Sequence, residues 1–162
     1  MTTPFHLRPA NPRDIPAILA LIQALAEYEK LSHEVRATSE QLTQSLFGSP
    51  PGAEVVLGCA DQEAVGFAVF FHSYSTFLGQ RGLHLEDLFV LPAWRRRGLG
   101  QLLLRHVAGL AVARGCGRLE WSVLDWNEPA RGFYLAHGAE AMQEWTVFRM
   151  TGQRLQRLAG IE

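Results

Sequence analysis

Phe5 and Leu7 alternate with polar neighbours, the period-two pattern of a short strand. The pattern then changes period. Ile15, Ile18, Leu19, Ile22, Leu25 and Ala26 recur at three- and four-residue spacing, which predicts a helix with one buried face running to about Leu31. Asn11-Pro12-Arg13-Asp14 supplies its start: Asn11 caps, Pro12 suits the first turn, and Asp14 favours the positive end of the dipole. Thr38-x-x-Gln41 has the form of a capping box, and it opens a second, shorter helix through Leu42, Leu46 and Phe47 that Gly48-Ser49-Pro50-Pro51-Gly52 ends.

Two apolar runs follow, Val55 to Cys59 and Ala64 to Phe71. They flank Asp61-Gln62, which predicts an antiparallel hairpin. His72 to Gly82 is expected to be a polar loop. Leu83 to Leu91 alternates and stops at Pro92, and after Arg95 to Gly100 the helical period returns at Leu99, Leu102, Leu103, Val107, Leu110 and Ala111. Arg118 to Leu124 predicts a strand, Asn127 to His137 a short helix begun by Asn127 with Pro129 early in it, and Trp145 to Met150 a last strand. No repeat or low-complexity tract interrupts this mixed α/β order.

Composition narrows the picture. A chain of 162 residues falls within the ~100–200 expected of one domain, so residues 1–162 are expected to form a single domain. Hydrophobic residues make up 48% and charged residues 19%, enough for a core and unlike a disordered chain. A formal charge of −1 provides no global positive field for nucleic acid or an anionic membrane, and neither partner is expected. Cys59 and Cys116 do not make a disulfide framework or a paired zinc spacing, and the six histidines show no ligand spacing, so no metal is expected. The first fifteen residues contain no apolar leader core and nothing later approaches ~18 continuous apolar residues, so a cytoplasmic protein is expected.

Candidate chemistry begins at Arg95-Arg96-Arg97-Gly98-Leu99-Gly100, between a buried strand and an amphipathic helix. Unpaired backbone N–H groups and the helix dipole favour a phosphate there, and arginines add charge. On the loop alone a tight left-handed turn with solvated arginines is the alternative, and it is the less favoured one. A phosphate-binding loop of the G-x-x-x-x-G-K-[ST] type is disfavoured because no lysine follows Gly100, and a dinucleotide fingerprint fails because position 103 is Leu.

Longer motifs carry a resemblance. Val90-Leu91-Pro92-x-x-Arg95-x-x-Gly98-x-Gly100 resembles the acyl-CoA signature of the GNAT acetyltransferases, and Asp125-Trp126-Asn127-Glu128-Pro129-Ala130-x-x-Phe133-Tyr134-x-x-x-Gly138-Ala139 is similar to that family's second CoA motif. Leu25 to Leu31, Leu85 to Val90 and Trp126 to Pro129 look like the spermidine/spermine N-acetyltransferases and their thialysine-acetylating relatives. The resemblance covers nearly the whole chain, least so from Gly48 to Gln62 and in the final tail. It implies the GNAT fold, a mixed and mostly antiparallel central sheet flanked by helices, with middle strands that splay to admit the CoA arm. It further implies acetyl-CoA as cosubstrate, direct transfer to a small-molecule primary amine in a ternary complex, and a homodimer.

Roles carry over residue by residue. Leu88, Phe89 and Val90 match the strand whose backbone pairs with pantetheine, although their side chains read as ordinary core. Arg96, Arg97, Gly98, Leu99, Gly100 and Gln101 match the pyrophosphate segment, and Asn127, Pro129 and Ala130 further CoA contacts, with Asn127 equally a plain N-cap. Tyr134 matches the tyrosine that reprotonates the CoA sulfur: a phenol of pKa ~10 is neutral at pH 7 and can donate to a thiolate. As one aromatic beside Phe133 it is equally a core residue, and its spacing from Asn127, which matches the family's motif, favours the functional role. Glu86 is assigned to substrate binding with a base role, because a substrate ammonium must lose its proton before attack. Its neighbour Asp87 is expected on the opposite face of the strand, leaving one acid for the cleft. Tyr28 and Glu29 match first-helix amine contacts, and a solvated helix end is the bland alternative.

Two rivals remain: acetylation of a protein N-terminus or lysine, and a CoA-binding regulatory module without turnover. Retention of Tyr134 and Glu86 argues against the second. The loop Tyr74-Ser75-Thr76-Phe77-Leu78-Gly79 bears on substrate, because the polyamine enzymes it resembles have aspartate where Ser75 stands and tryptophan where Phe77 stands. The thialysine-acetylating relatives carry Tyr-Ser-Thr. Ser75 is therefore assigned to substrate binding, and a short amino acid amine is expected to be preferred over spermidine or spermine.

Overall fold

Asn11 and Asp14 close the first capping arrangement: Asn11 Oδ1 accepts from the Arg13 N–H at 2.9 Å while Asp14 Oδ2 accepts from the Asn11 N–H at 2.8 Å. Arg8 grips the same Asp14 through two bonds of 2.7 and 2.8 Å, which holds its carboxyl below the usual range. This junction joins β1 (Phe5–Pro9) to α1 (Ile15–Tyr28) in the computed structural model, which describes residues 4–161. The helix ends before Leu31 because Lys30 takes the left-handed conformation, φ 62°, and the Leu31 N–H turns back to the Ala26 carbonyl at 2.7 Å. That stop leaves Glu29 at the helix end. The second capping box forms in both directions between Thr38 and Gln41, at 3.2 and 3.0 Å, and starts α2 (Ser39–Phe47).

The sheet comprises β2 (Glu54–Ala60), β3 (Glu63–Ser75), β4 (Gln80–Val90) and β5 (Leu119–Glu120), in the order β1-β2-β3-β4-β5. Its first four strands are antiparallel, and β5 joins parallel to β4 after the crossover through α3 (Leu99–Ala113). The mixed, mostly antiparallel sheet expected from the sequence is thus present. On one face Ile18 and Leu21 of α1 pack against Val55, Leu57, Phe67, Val69 and Phe89, each such burial contributing ~1.5–3 kcal/mol. Gly58 and Gly66 are cross-strand partners that turn to the other face. A methyl at Gly58 would lie 2.7 Å from Leu99 Cδ1, and one at Gly66 would lie 2.9 Å from the Phe89 carbonyl oxygen. The two glycines therefore form the hollow in which the first residue of α3 sits, and this fixes the start of that helix on the sheet.

Two expectations in this part of the sheet need correction. The segment His72 to Gly82 is not a loop: β3 and β4 continue pairing to Ser75 and Gln80, and only residues 76–79 turn. Its side chains extend past the core, so burial contrast says nothing there while the backbone ladder continues. The strand expected over Arg118 to Leu124 shortens to Leu119–Glu120.

Residues Met1–Ser122 and Val123–Glu162 form two compact units. The second contains α4 (Glu128–Ala136) and α5 (Gly152–Leu158), the latter in the tail where nothing was predicted. Trp145 to Met150 forms no strand, and Trp145, Val147 and Phe148 are exposed. Alternation alone does not make a strand, which needs a neighbour for its N–H and C=O groups. No helix among the described residues is long and apolar enough to cross a membrane.

Candidate active site

The ladder between β3 and β4 slips by one residue. Phe70 pairs with Leu85 and Val69 with Asp87, so Glu86 is an extra residue on β4. Directly paired residues share a face. Asp87 therefore takes the face of Val69, and His84, paired with Phe71, takes that same face. Glu86 adjoins both: its Oε2 lies 3.7 Å from His84 Nε2, and its charge acts on Asp87. The expectation that one acid alone faces this side is overturned, because the bulge cancels the strand alternation on which it rested.

Burial, reinforced by the charges of Glu86 and Glu29, pushes the Asp87 carboxyl up to about 7. Burial also raises Glu29 at the end of α1. The site thus gathers three carboxylates from two elements, of which Glu86 is the most exposed, with 59% of its side chain accessible. Such a cluster attracts an ammonium ion and supplies acceptors for its protons. Asp87 is the residue that the sequence did not assign. The adjacent Glu86-Asp87 pair was visible, but the bulge was not.

Arg95 frames this cluster. Its Nε donates to the Val90 carbonyl at 2.9 Å, and its guanidinium lies over the rings of Tyr28 at 4.3 Å and Phe89 at 5.2 Å. The cation therefore clamps the end of α1 to the end of β4, beside Glu29. Of the three arginines read as phosphate charges, this one turns inward, and Arg96 and Arg97 stay exposed.

The loop leading into α3 has left-handed backbone at Arg96, φ 60°, and at Gly98, φ 87°. Successive turns of this kind point backbone N–H groups into one concavity. Gly98 caps α3 without any side-chain hydrogen bond, and a methyl at Gly98 would meet nothing within 4 Å. Leu99, Gly100 and Gln101 follow with the unsatisfied N–H groups of a helix start. Exposed, uncapped and flanked by two arginines, this turn fits a pyrophosphate. Beside it β5 pairs with β4 only at Leu83 and His84, so among the described residues the β4 edge from Leu85 to Val90 has no partner on that side. Leu88, Phe89 and Val90 lie on that edge.

In the second unit Asn127 caps α4, its Oδ1 accepting from the Ala130 N–H at 3.3 Å, with Pro129 in the first turn. The plain N-cap role is therefore filled. Tyr134 lies on the same helix, edge-on to Phe133 at 5.3 Å. Ser75 does not join the acid cluster. It is buried, its Oγ accepts from the Leu78 N–H at 3.2 Å, and its partner Gln80 stands about 20 Å along the strand from Glu86 at 3.3 Å per residue.

Residues 17–139 match the Acetyltransferase (GNAT) family. Over 95% of its length the chain is 38% identical to a thialysine N-epsilon-acetyltransferase of Bos taurus, covering 96% of that protein. It is 32% identical to an L-ornithine N5-acetyltransferase of Arabidopsis thaliana over 94% of this chain and 87% of that one. Among solved structures, an integron cassette protein from the mobile metagenome of V. cholerae superposes with a TM-score of 0.80 at 23% identity, covering 98% of this chain and 99% of that chain.

Proposed function

The chain belongs to the acetyltransferase (GNAT) family, and from that premise we propose that it transfers acetyl from acetyl-CoA to a primary amine of a thialysine-like amino acid or short diamine. Transfer is direct, in a ternary complex, by residues 1–162 as a single acetyltransferase domain. The observation that carries this reading is the bulge on β4. It brings Asp87, on which the charges of Glu86 and Glu29 both act, to the face of His84, on a strand whose far end leads through Arg95 into the turn that starts α3.

Bound acetyl-CoA would supply an activated acetyl thioester. Arg96, Arg97 and the N–H groups from Gly98 to Gln101 hold its pyrophosphate, the β4 edge at Leu88, Phe89 and Val90 orients its arm, and Asn127, Pro129 and Ala130 give further contacts. The substrate ammonium enters among Glu29, Glu86 and Asp87, with the Tyr28 ring beside it. Glu86 accepts its proton, directly or through water, which frees the nitrogen lone pair for attack. The Tyr134 phenol donates a proton to the departing sulfur. We place the enzyme in the cytoplasm as a homodimer that needs no metal.

The names of the relatives support a small amine, thialysine in one and L-ornithine in another, whereas Ser75, buried far along the hairpin from the acid cluster, carries no argument on its length. The test is an amine panel assayed by acetyl-CoA-dependent thiol release. Thialysine or ornithine should give higher kcat/KM than spermidine or spermine. A higher value for spermine overturns the substrate choice, and no turnover with any amine overturns the activity.

A further inference from the structure

We infer that His84 relays the substrate's proton from Glu86 to solvent, acting through Glu86 and not on the amine itself. The inference rests on the proposed acetyl transfer and concerns how its base is reset.

Residues two apart on a strand share a face, and here a short approach results. His84 and Glu86 are on the same face of β4, with Nε2 3.7 Å from Oε2, a gap that a small shift of either side chain closes to a hydrogen bond. The imidazole is held by its cross-strand partner: its ring stacks on Phe71 at 4.9 Å between centroids and 30° between planes. About a third of the side chain remains accessible, so an imidazole that faces Glu86 also has access to water. His84 is the last rung of pairing with β5, opposite Glu120, beyond which the β4 edge from Leu85 to Val90 has no strand partner on that side among the described residues.

The charged groups around it come from two strands and one helix. On β4 they are Glu86 and, beyond it, Asp87, which Glu29 of α1 also influences. On β5 it is Glu120, which is itself bridged by Arg118 at 3.3 Å. Phe71 on β3 contributes no charge. Imidazoles exchange protons near neutral pH and are stronger bases than carboxylates, so a proton taken by a glutamate moves downhill onto an adjacent histidine.

The step balances. The ammonium N–H bond breaks as Oε2 of Glu86 takes the proton, the Glu86 O–H bond breaks as Nε2 of His84 takes it in turn, and the imidazolium gives it to bulk water. Glu86 ends ionised and His84 neutral, as they began, and the nitrogen keeps its electron pair for the acetyl carbon.

Two variants test the relay. His84→Phe keeps a ring against Phe71 and deletes both nitrogens, whereas His84→Ala opens space beside Glu86 for free imidazole. Expected for both is a kcat/KM reduced roughly tenfold to a hundredfold at neutral pH, at or below the low end of the ~10²–10⁴-fold effects of a direct general acid or base because His84 acts through Glu86. The low-pH inflection of the wild-type profile should change in each. Added imidazole should restore the His84→Ala rate in proportion to its concentration, a response that lost packing would not give. Wild-type turnover is read first: its absence overturns acetyl transfer and the relay with it. Unchanged kcat/KM in His84→Phe from about pH 5 to 8, where an imidazole changes charge, overturns the relay alone. So does a His84→Ala defect that imidazole leaves unrelieved. If His84→Ala does not fold, the His84→Phe profile decides.

Discussion

Replacing Asp87 with asparagine should stabilise the protein at neutral pH while weakening its hold on the amine. Asparagine has nearly the same shape and removes a charge that the native state confines. The Asp87 carboxyl rises from its ordinary 3.8 to about 7, because burial disfavours its charge and Glu86 and Glu29 add repulsion. At 1.36 kcal/mol per pH unit, the ionised side chain costs the native state about 4 kcal/mol, as a ceiling. The sign follows from proton counts. Between 3.8 and about 7 the folded state binds the proton and the unfolded state does not, so wild-type stability falls as pH rises through that window and levels off above it. The asparagine variant lacks this slope. Its advantage should therefore be near zero at pH 4 and reach up to about 4 kcal/mol at pH 8, or roughly 8–16 °C in Tm for a chain of this size. Urea titrations of both proteins at several pH values measure it. An asparagine variant less stable than wild type at pH 8, or a difference that does not change with pH, refutes the reasoning. In the same variant, loss of one charge from a half-buried ammonium site should raise the amine KM by about 5–150-fold, an effect of ~1–3 kcal/mol.

Gly98→Glu should abolish acetyl-CoA binding in calorimetric titration while the protein stays folded: a side chain at φ 87° costs about 1–2 kcal/mol, no atom lies within 4 Å of its Cβ, and the new charge occupies the anion concavity. Tyr134→Phe keeps the ring against Phe133 and removes the hydroxyl, so kcat should fall roughly 10²–10⁴-fold with acetyl-CoA affinity little changed, and a near-wild-type kcat would return Tyr134 to packing. Arg95→Leu removes the bond to the Val90 carbonyl and the cation over Tyr28 and Phe89, which should lower stability by about 1–3 kcal/mol in urea titration and raise the amine KM more than the acetyl-CoA KM.

The features legible from the sequence are those decided within a few residues. Asn11 with Asp14 and Thr38 with Gln41 close their capping boxes across three residues, and the Arg95 to Gly100 loop meets its helix within one turn, so spacing alone locates them. Helices α1 and α3 follow from periodicity because a buried stripe repeats at the helix's own pitch, and the candidate CoA residues follow from contiguous motifs. Features that depend on a second strand were not legible. Whether Glu86 and Asp87 point apart or together depends on how many residues β4 sets against Val69 and Phe70 of β3, a count that no single strand contains. The inward turn of Arg95 depends on aromatic rings from α1 and β4 that lie far apart in the chain. Ser75 read as a polar loop residue, but its hairpin continues on backbone hydrogen bonds that leave no mark in side-chain polarity. Sequence therefore determined the local backbone and its motifs. Tertiary pairing decided which charges share a face, because charges interact through space and at short range, irrespective of their order in the chain.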